Sequence, residues 1–228
     1  MTRRKLDLLT SVGGLVVAVL LIVLGVVMTT QYNFAKDYVK TELGAQKIYF
    51  SAEPKEEELN WKPESKCLNE YKGQLMTTGA QAECYAKYYI AKHMDTSAKN
   101  LKLSSPIKVT IGGKEETLSD MTGQTYGTLG GIKTALDNDA KALKEKGDTA
   151  GADNRTKDST AVANLRTTMQ TGETLRGLLL TTYGFSIFGE KAGLAANVLY
   201  GLGGLMVVLS LAGLIHAFVT SPEKKVFS

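Results

Sequence analysis

Very few side chains in this chain could carry thiol, imidazole or metal chemistry. Its 228 residues hold two cysteines, Cys67 and Cys84, and two histidines, His93 and His216. Four such residues cannot furnish a site built from several imidazoles and thiolates. The cysteines lie 17 positions apart, far from the Cys-x-x-Cys spacing that lowers a thiol pKa at a helix start. They predict one structural disulfide, whose loop closure is worth roughly 3 kcal/mol in the chain-entropy description. His93 falls near the end of a predicted helix, where a histidine caps or faces solvent. His216 sits near the end of an apolar run; a lone histidine there could ligate haem or relay protons, but it more commonly reaches the interface. Glu56, Glu57 and Glu58 are adjacent, and adjacent carboxylates do not converge on one cation without a shaped loop, so they read as a solvated loop. Asn154-Arg155-Thr156 fits the glycosylation pattern, a match short enough to arise by chance. No nucleophile with a base and an orienting group forms a readable motif, and there is no Gly-rich phosphate loop. The chain reads as a non-enzyme with no cofactor and no metal.

Composition points elsewhere. Of the residues, 43% are hydrophobic and 22% charged, with a net charge of +4. Arg3, Arg4 and Lys5 against Asp7 supply +2 of it, and Lys224 and Lys225 against Glu223 supply +1. The basic surplus therefore sits on two short tails beside apolar segments. A nucleic-acid binder needs a basic face on its folded domain, so nucleic acid is excluded as a partner.

Two apolar runs organise the chain. No charged residue occurs from Leu8 to Ala35 or from Ala192 to Pro222. Each exceeds the ~20 residues that cross ~30 Å of hydrocarbon. The expected division is a tail at 1–7, a transmembrane helix at 8–30, an outer domain at 31–174, a membrane-proximal interfacial helix at 175–191, a second transmembrane helix at 192–219 and a tail at 220–228. Basic residues beside both spans place both termini in the cytoplasm and the central domain on the periplasmic or extracellular side of the plasma membrane. A cleaved signal peptide is the rival reading, but Val27-Met28-Thr29-Thr30-Gln31 has no Ala-x-Ala-like site. Arg3-Arg4 matches a twin-arginine signal, though a positive-inside flank explains it equally.

The fold class expected is a mainly α membrane protein, with two transmembrane helices flanking a mostly helical outer domain that carries a small β-hairpin. Lys47 to Phe50 is a short extended candidate. Ala80 to Met94 reads as an amphipathic helix presenting Ala80, Cys84, Tyr88 and Ala91 on one face. Ile107 to Leu118 reads as a hairpin turning at Gly112-Gly113, an excursion rather than core. A surface helix spans Gly131 to Gly147, with Ile132, Leu136, Ala140 and Leu143 inward. Asp148 to Asn154 is expected as loop. From Ser159, Val162, Leu165, Met169 and Gly172 keep helical spacing toward the membrane.

Two surfaces are candidate sites. Tyr183, Phe185 and Phe188 read as an aromatic belt at headgroup level, or alternatively Leu175, Arg176, Leu179, Tyr183 and Phe185 form a membrane-proximal docking surface. In the second span Gly193, Asn197, Gly201 and Gly204 form a strip of small residues with one polar side chain, suited to close helix packing. Its partner is either the first span or another subunit.

Several segments in order resemble a family of small two-span actinobacterial membrane proteins. They are Gln46-Lys47-Ile48, Ile90-Ala91-Lys92-His93, Thr122-Gly123-Gln124-Thr125-Tyr126 and Thr174-Leu175-Arg176-Gly177-Leu178-Leu179, with Tyr183-Gly184 closing the best stretch. Leu101 to Asp120 looks like an insertion. Members often carry an aromatic ring-opening dioxygenase label. A non-haem iron site needs two histidines and a carboxylate, and His93 and His216 are expected on opposite sides of the membrane, so that activity is rejected. The resemblance implies instead an accessory subunit, without cofactors, of the respiratory supercomplex that joins a cytochrome bc complex to an aa-type cytochrome oxidase. The expected function is therefore a non-catalytic accessory or assembly subunit, with those membrane subunits and the bilayer as partners. The alternative is a free-standing envelope protein binding a small molecule, peptide or cell-wall component, for which Trp61, Tyr85, Tyr88 and Tyr89 would line a pocket.

Overall fold

A computed structural model describes residues 2–220. Lys224 and Lys225, on which half of the orientation argument rests, lie outside the described residues, as does nearly all of the expected 220–228 tail. Two long helices dominate: α1, Arg3–Ala45, and α7, Thr149–Val219. The prolines among the described residues, at positions 54, 63 and 106, fall outside both helices, so neither ladder as described loses an N–H or meets a ring clash. Between them lie α2 (Glu56–Leu59), a 3₁₀ turn (Pro63–Lys66), α3 (Cys67–Glu70), α4 (Gly79–Cys84), a π-helical turn (Tyr85–Ile90), α5 (Ala91–Asn100), strands β1 (Lys102–Ile111) and β2 (Lys114–Asp120), and α6 (Tyr126–Glu145). The protein is thus mostly helical, with one two-stranded antiparallel sheet and two long apolar helices. Contacts divide it into two units, Gln46–Tyr183 and Met1–Ala45 with Gly184–Ser228; α7 contributes to both.

Within Gln46–Tyr183, Cys67 and Cys84 stand at disulfide distance with Cα atoms 6.2 Å apart. The extended candidate after α1 is a short one: Tyr49 bridges Leu75, and Met76 N–H donates to the Ile48 carbonyl at 2.8 Å. The helix expected to stop near His93 continues to Asn100 as α4, π turn and α5. Its inward face also differs from the expected one. Ala80 is exposed and Tyr88 and Ala91 are half-buried, whereas Ala82, Ala86, Ile90, Met94 and Ala98 are buried. A spacing of four overshoots a regular helical turn by about 40° at each step, and the wider π turn takes up part of that drift. Within that turn Arg176 on α7 donates from Nε to the Ala86 carbonyl at 3.2 Å.

The hairpin turns at Gly112 and Gly113, with φ of +59° and +81°, as two left-handed positions in a tight turn require. It is more than an excursion: Ile107 and Val109 are buried, and β1 packs on α6. Lys102 closes its open end on Asp120 at 2.6 Å and, with Thr122, holds that carboxyl well below the usual carboxylate range. Helix α6 starts five residues before the expected Gly131, because Thr125 caps it through the Thr128 hydroxyl despite Gly127, Gly130 and Gly131. The expected loop at 148–154 is instead the first turns of α7. Gly147, at φ +83°, ends α6, and the Asp148 carboxylate accepts the Gly151 N–H at 2.8 Å as a cap.

Between Lys102 and Ile107 the ladder slips, which would strand backbone groups. α7 supplies their partners. Asp158 accepts the Ser104 N–H at 3.1 Å and its hydroxyl at 2.9 Å. Arg155 donates to the Ser105 carbonyl at 2.6 Å, the Pro106 carbonyl at 2.9 Å and Asp139 at 2.7 Å. Arg155 and Asp158 are each only 6% exposed. Breaking such a network from one side leaves buried charge and carbonyls unpaired. Arg155→Ala should therefore cost about 3 kcal/mol or more, with Arg155→Lys recovering little because an ammonium lacks the planar fork. Denaturant unfolding of the full chain in detergent measures both.

Candidate functional site

The apolar parts of α1 and α7 pack on each other, and the residues that allow it recur every seventh position. In α1 they are Ser11, Ala18, Gly25, Tyr32 and Val39; in α7 they are Gly189, Ala196, Gly203, Ser210 and Ala217. All are buried except Tyr32, which is half-buried. A seven-residue repeat keeps one face on a common seam when two helices wind gently about each other. Small side chains then let the backbones approach.

The helices run antiparallel, as named contacts show. Gly14 lies against Ser210, Gly203 against the Ala18 carbonyl and Ile22, Gly25 under the Tyr200 ring, Gly193 under the Tyr32 ring, and Gly189 against Ala35. A Cβ on Gly203 would come within 2.9 Å of Ile22 Cγ1, and one on Gly25 within 2.7 Å of Tyr200 Cε1. Thr29 and Tyr200 join their hydroxyls at 3.1 Å. At one end of the seam His216 Nδ1 meets Asp7 Oδ2 at 3.0 Å, and Arg4 covers the Phe218 ring at 5.5 Å. At the other, Phe185 makes edge contacts with Phe34 and Tyr38 at 6.4 and 5.9 Å.

The strip expected on α7 is divided by this arrangement. Gly193 belongs to the seam. Asn197, Gly201 and Gly204 face away from α1 and are exposed, and a Cβ on Gly201 or Gly204 would meet nothing within 4 Å. They sit among exposed Leu194, Val198, Leu202, Leu205 and Val208.

The expected membrane-proximal surface is likewise split. Leu179 is 1% exposed and belongs to the core. Arg176 is committed inward, to the Ala86 carbonyl and, from Nη1, to Glu173 at 2.8 Å. Leu175 and Tyr183 are half-buried, while Phe185 stands in the aromatic cluster. The residues that do face outward there are Leu178, 63% exposed, and Phe188, 72% exposed. The sequence reading placed Phe188 in an aromatic belt but did not single out Leu178 or the seam itself. Counting by sevens from Gly189 would have found the seam, but Glu190 and Lys191 interrupt the hydropathy there and the backbone does not follow.

Of the aromatic residues considered for a pocket, Tyr85 and Tyr89 stack on each other at 4.6 Å; Tyr85 meets the Phe50 ring edge-on at 5.4 Å, and Tyr89 meets the tilted His93 ring at 4.2 Å. Burial, Tyr89 and Glu58 push the Tyr85 phenol up to about 12. Among the described residues, no three His, Cys, Asp or Glu side chains gather where they could hold a metal ion. No protein-family model, curated protein or solved structure matches this chain.

The two sets of glycines should separate cleanly by substitution. Gly203→Leu and Gly25→Leu must displace a neighbouring side chain, so each should lower the thermal midpoint of the full chain in detergent, overpacking of this kind costing about 1–3 kcal/mol. Gly201→Leu and Gly204→Leu should leave that midpoint nearly unchanged.

Proposed function

We propose that α1 and α7 cross a bilayer as an antiparallel pair and that the protein is a non-catalytic accessory or assembly subunit of a membrane complex. Support for crossing comes from length and composition. The most apolar 18-residue windows of α1 and α7 have mean hydropathies of 2.8 and 2.2, and only 11% of each window is buried inside the protein. Such a surface is costly in water and matched to lipid. Arg3, Arg4 and Lys5 in the first turn of α1 favour, by the positive-inside rule, a cytoplasmic N-terminus with Gln46–Tyr183 on the far side of the plasma membrane.

The observation that carries the subunit reading is the outward strip of Asn197, Gly201 and Gly204. The α1 seam already occupies another face of α7. A carboxamide has no partner in hydrocarbon, and glycine offers lipid no packing, so a strip of this kind suits a further helix. The partners we propose, on the resemblance described above, are subunits of the actinobacterial cytochrome bc complex and its aa-type oxidase.

The test is mild-detergent purification through a tag on Ser228, with identification of co-purifying chains and a haem absorbance spectrum. Stoichiometric cytochrome subunits with their haem bands are expected. Gly201→Leu or Gly204→Leu should release them while leaving the thermal midpoint in place. A haem-free protein without partners refutes the supercomplex reading, and undiminished recovery of partners by both variants refutes the strip.

A further inference from the structure

We propose that Glu58 and His93 form a pH-operated latch that holds α2 against the helical run of α4, the π turn and α5. The argument begins with a count of donors. His93 Nδ1 lies 2.9 Å from the Tyr89 carbonyl. A carbonyl only accepts, so Nδ1 carries a proton. In a neutral ring Nε2 is then a lone-pair acceptor. Nε2 faces Glu58 Oε1 at 3.5 Å, and an ionised carboxylate is also acceptor-only. Two acceptors attract each other only when a further proton joins them, and the imidazolium supplies it on Nε2.

Glu58 is committed to this place. Its other oxygen accepts the Lys55 N–H at 3.1 Å, the bond that caps α2, and its side chain is 7% exposed against 48% for His93. The carboxylate is thus fixed, while the imidazole stays open to solvent and can exchange its proton. The titratable groups that meet here are Glu58 from α2 and Tyr85, Tyr89 and His93 from the helical run. Lys55 contributes its backbone N–H. Tyr71 lies one ring further off, against Phe50. Burial, Tyr89 and Glu58 push the Tyr85 phenol up to about 12, which keeps it neutral, and the proton on Nε2 is the variable that decides the charge balance.

The sign follows. With the second proton on Nε2 the imidazolium pairs with Glu58 and the latch is closed. When rising pH removes that proton, attraction is lost and α2 is held by its remaining contacts alone. The latch thus adds stability on the acid side and loses it on the alkaline side.

Amide hydrogen exchange on the full chain in detergent, corrected for intrinsic rates, reads the closure of Lys55–Asn60. Protection there should fall by roughly threefold between about pH 5.5 and about pH 8, the size an ion pair with one exposed partner sustains. His93→Gln, at a half-exposed position, should give pH-independent protection at the wild-type alkaline level. Glu58→Gln should also abolish the pH dependence. If wild-type protection is the same at both pH values, or if His93→Gln keeps the full dependence, the proposal is wrong. Should Glu58→Gln fail to fold, His93→Gln alone decides.

Discussion

Thickness along the α1–α7 seam is the constraint on which the helix pair depends. Two helices lie close over this length only if each turn at the contact presents a side chain small enough to admit the other backbone. Ser11, Ala18 and Gly25 on one side, and Gly189, Ala196, Gly203, Ser210 and Ala217 on the other, meet that condition at every seventh residue. For a pair that crosses a bilayer, as proposed, the hydrophobic effect would supply no attraction between helices, because the tails are as apolar as leucine. Dispersion across the tight seam would then provide the attraction, with polar contacts such as Thr29–Tyr200 and Asp7–His216 fixing register. The large apolar residues are left to face outward. Val16, Leu20, Val23, Leu205, Leu209 and Ile215 are all exposed, which inverts the rule of a water-soluble core.

Gln46–Tyr183 obeys the ordinary rule and handles its irregularities with arginines. Arg155 and Arg176 both project from α7, and each repairs a place where regular hydrogen bonding fails. The first feeds carbonyls of the slipped stretch of β1, and the second takes a carbonyl freed by the π turn. An arginine suits both positions because its fork can satisfy several acceptors at once, whereas a lysine presents a point charge. Irregular backbone in this unit is therefore over-determined rather than loose.

How much of this was legible beforehand depends on how local each cause is. The two apolar helices, the cysteine pair and the Gly112-Gly113 hairpin turn could be read because composition, spacing or a turn dipeptide decides them. The inward face of the helix at 79–100 could not be read, because a π turn interrupts its regular period and nothing in the local spacing announces one; a carbonyl inside that turn is met by Arg176, 90 residues away. Asp148 to Asn154 looked like loop because Asp, Gly and Asn favour turns as well as caps. Asp148 acts as the cap, and Arg155 follows as a buried partner of β1. Among the candidate site residues, small size on α7 marks two faces. Gly193 lies on the one that meets α1, and Asn197, Gly201 and Gly204 lie on the other.

That doubling is itself informative. A helix needing one partner has reason to keep small residues on one face and fill the rest with leucine and valine, since glycine lowers helix propensity by about 1 kcal/mol relative to alanine. α7 carries glycine at 189, 193 and 203 for the seam, and again at 201 and 204 where the α1 seam makes no use of them. The second pair brings that cost with no compensating contact inside the chain, and Asn197 adds an exposed carboxamide on the same side. Packing by a further helix would offset both at once, because close approach favours glycine and lets the carboxamide find a backbone or side-chain partner. On this argument the chain's own fold consumes one face of α7, and the glycines at 201 and 204 with Asn197 leave a second face that no contact inside the described chain explains.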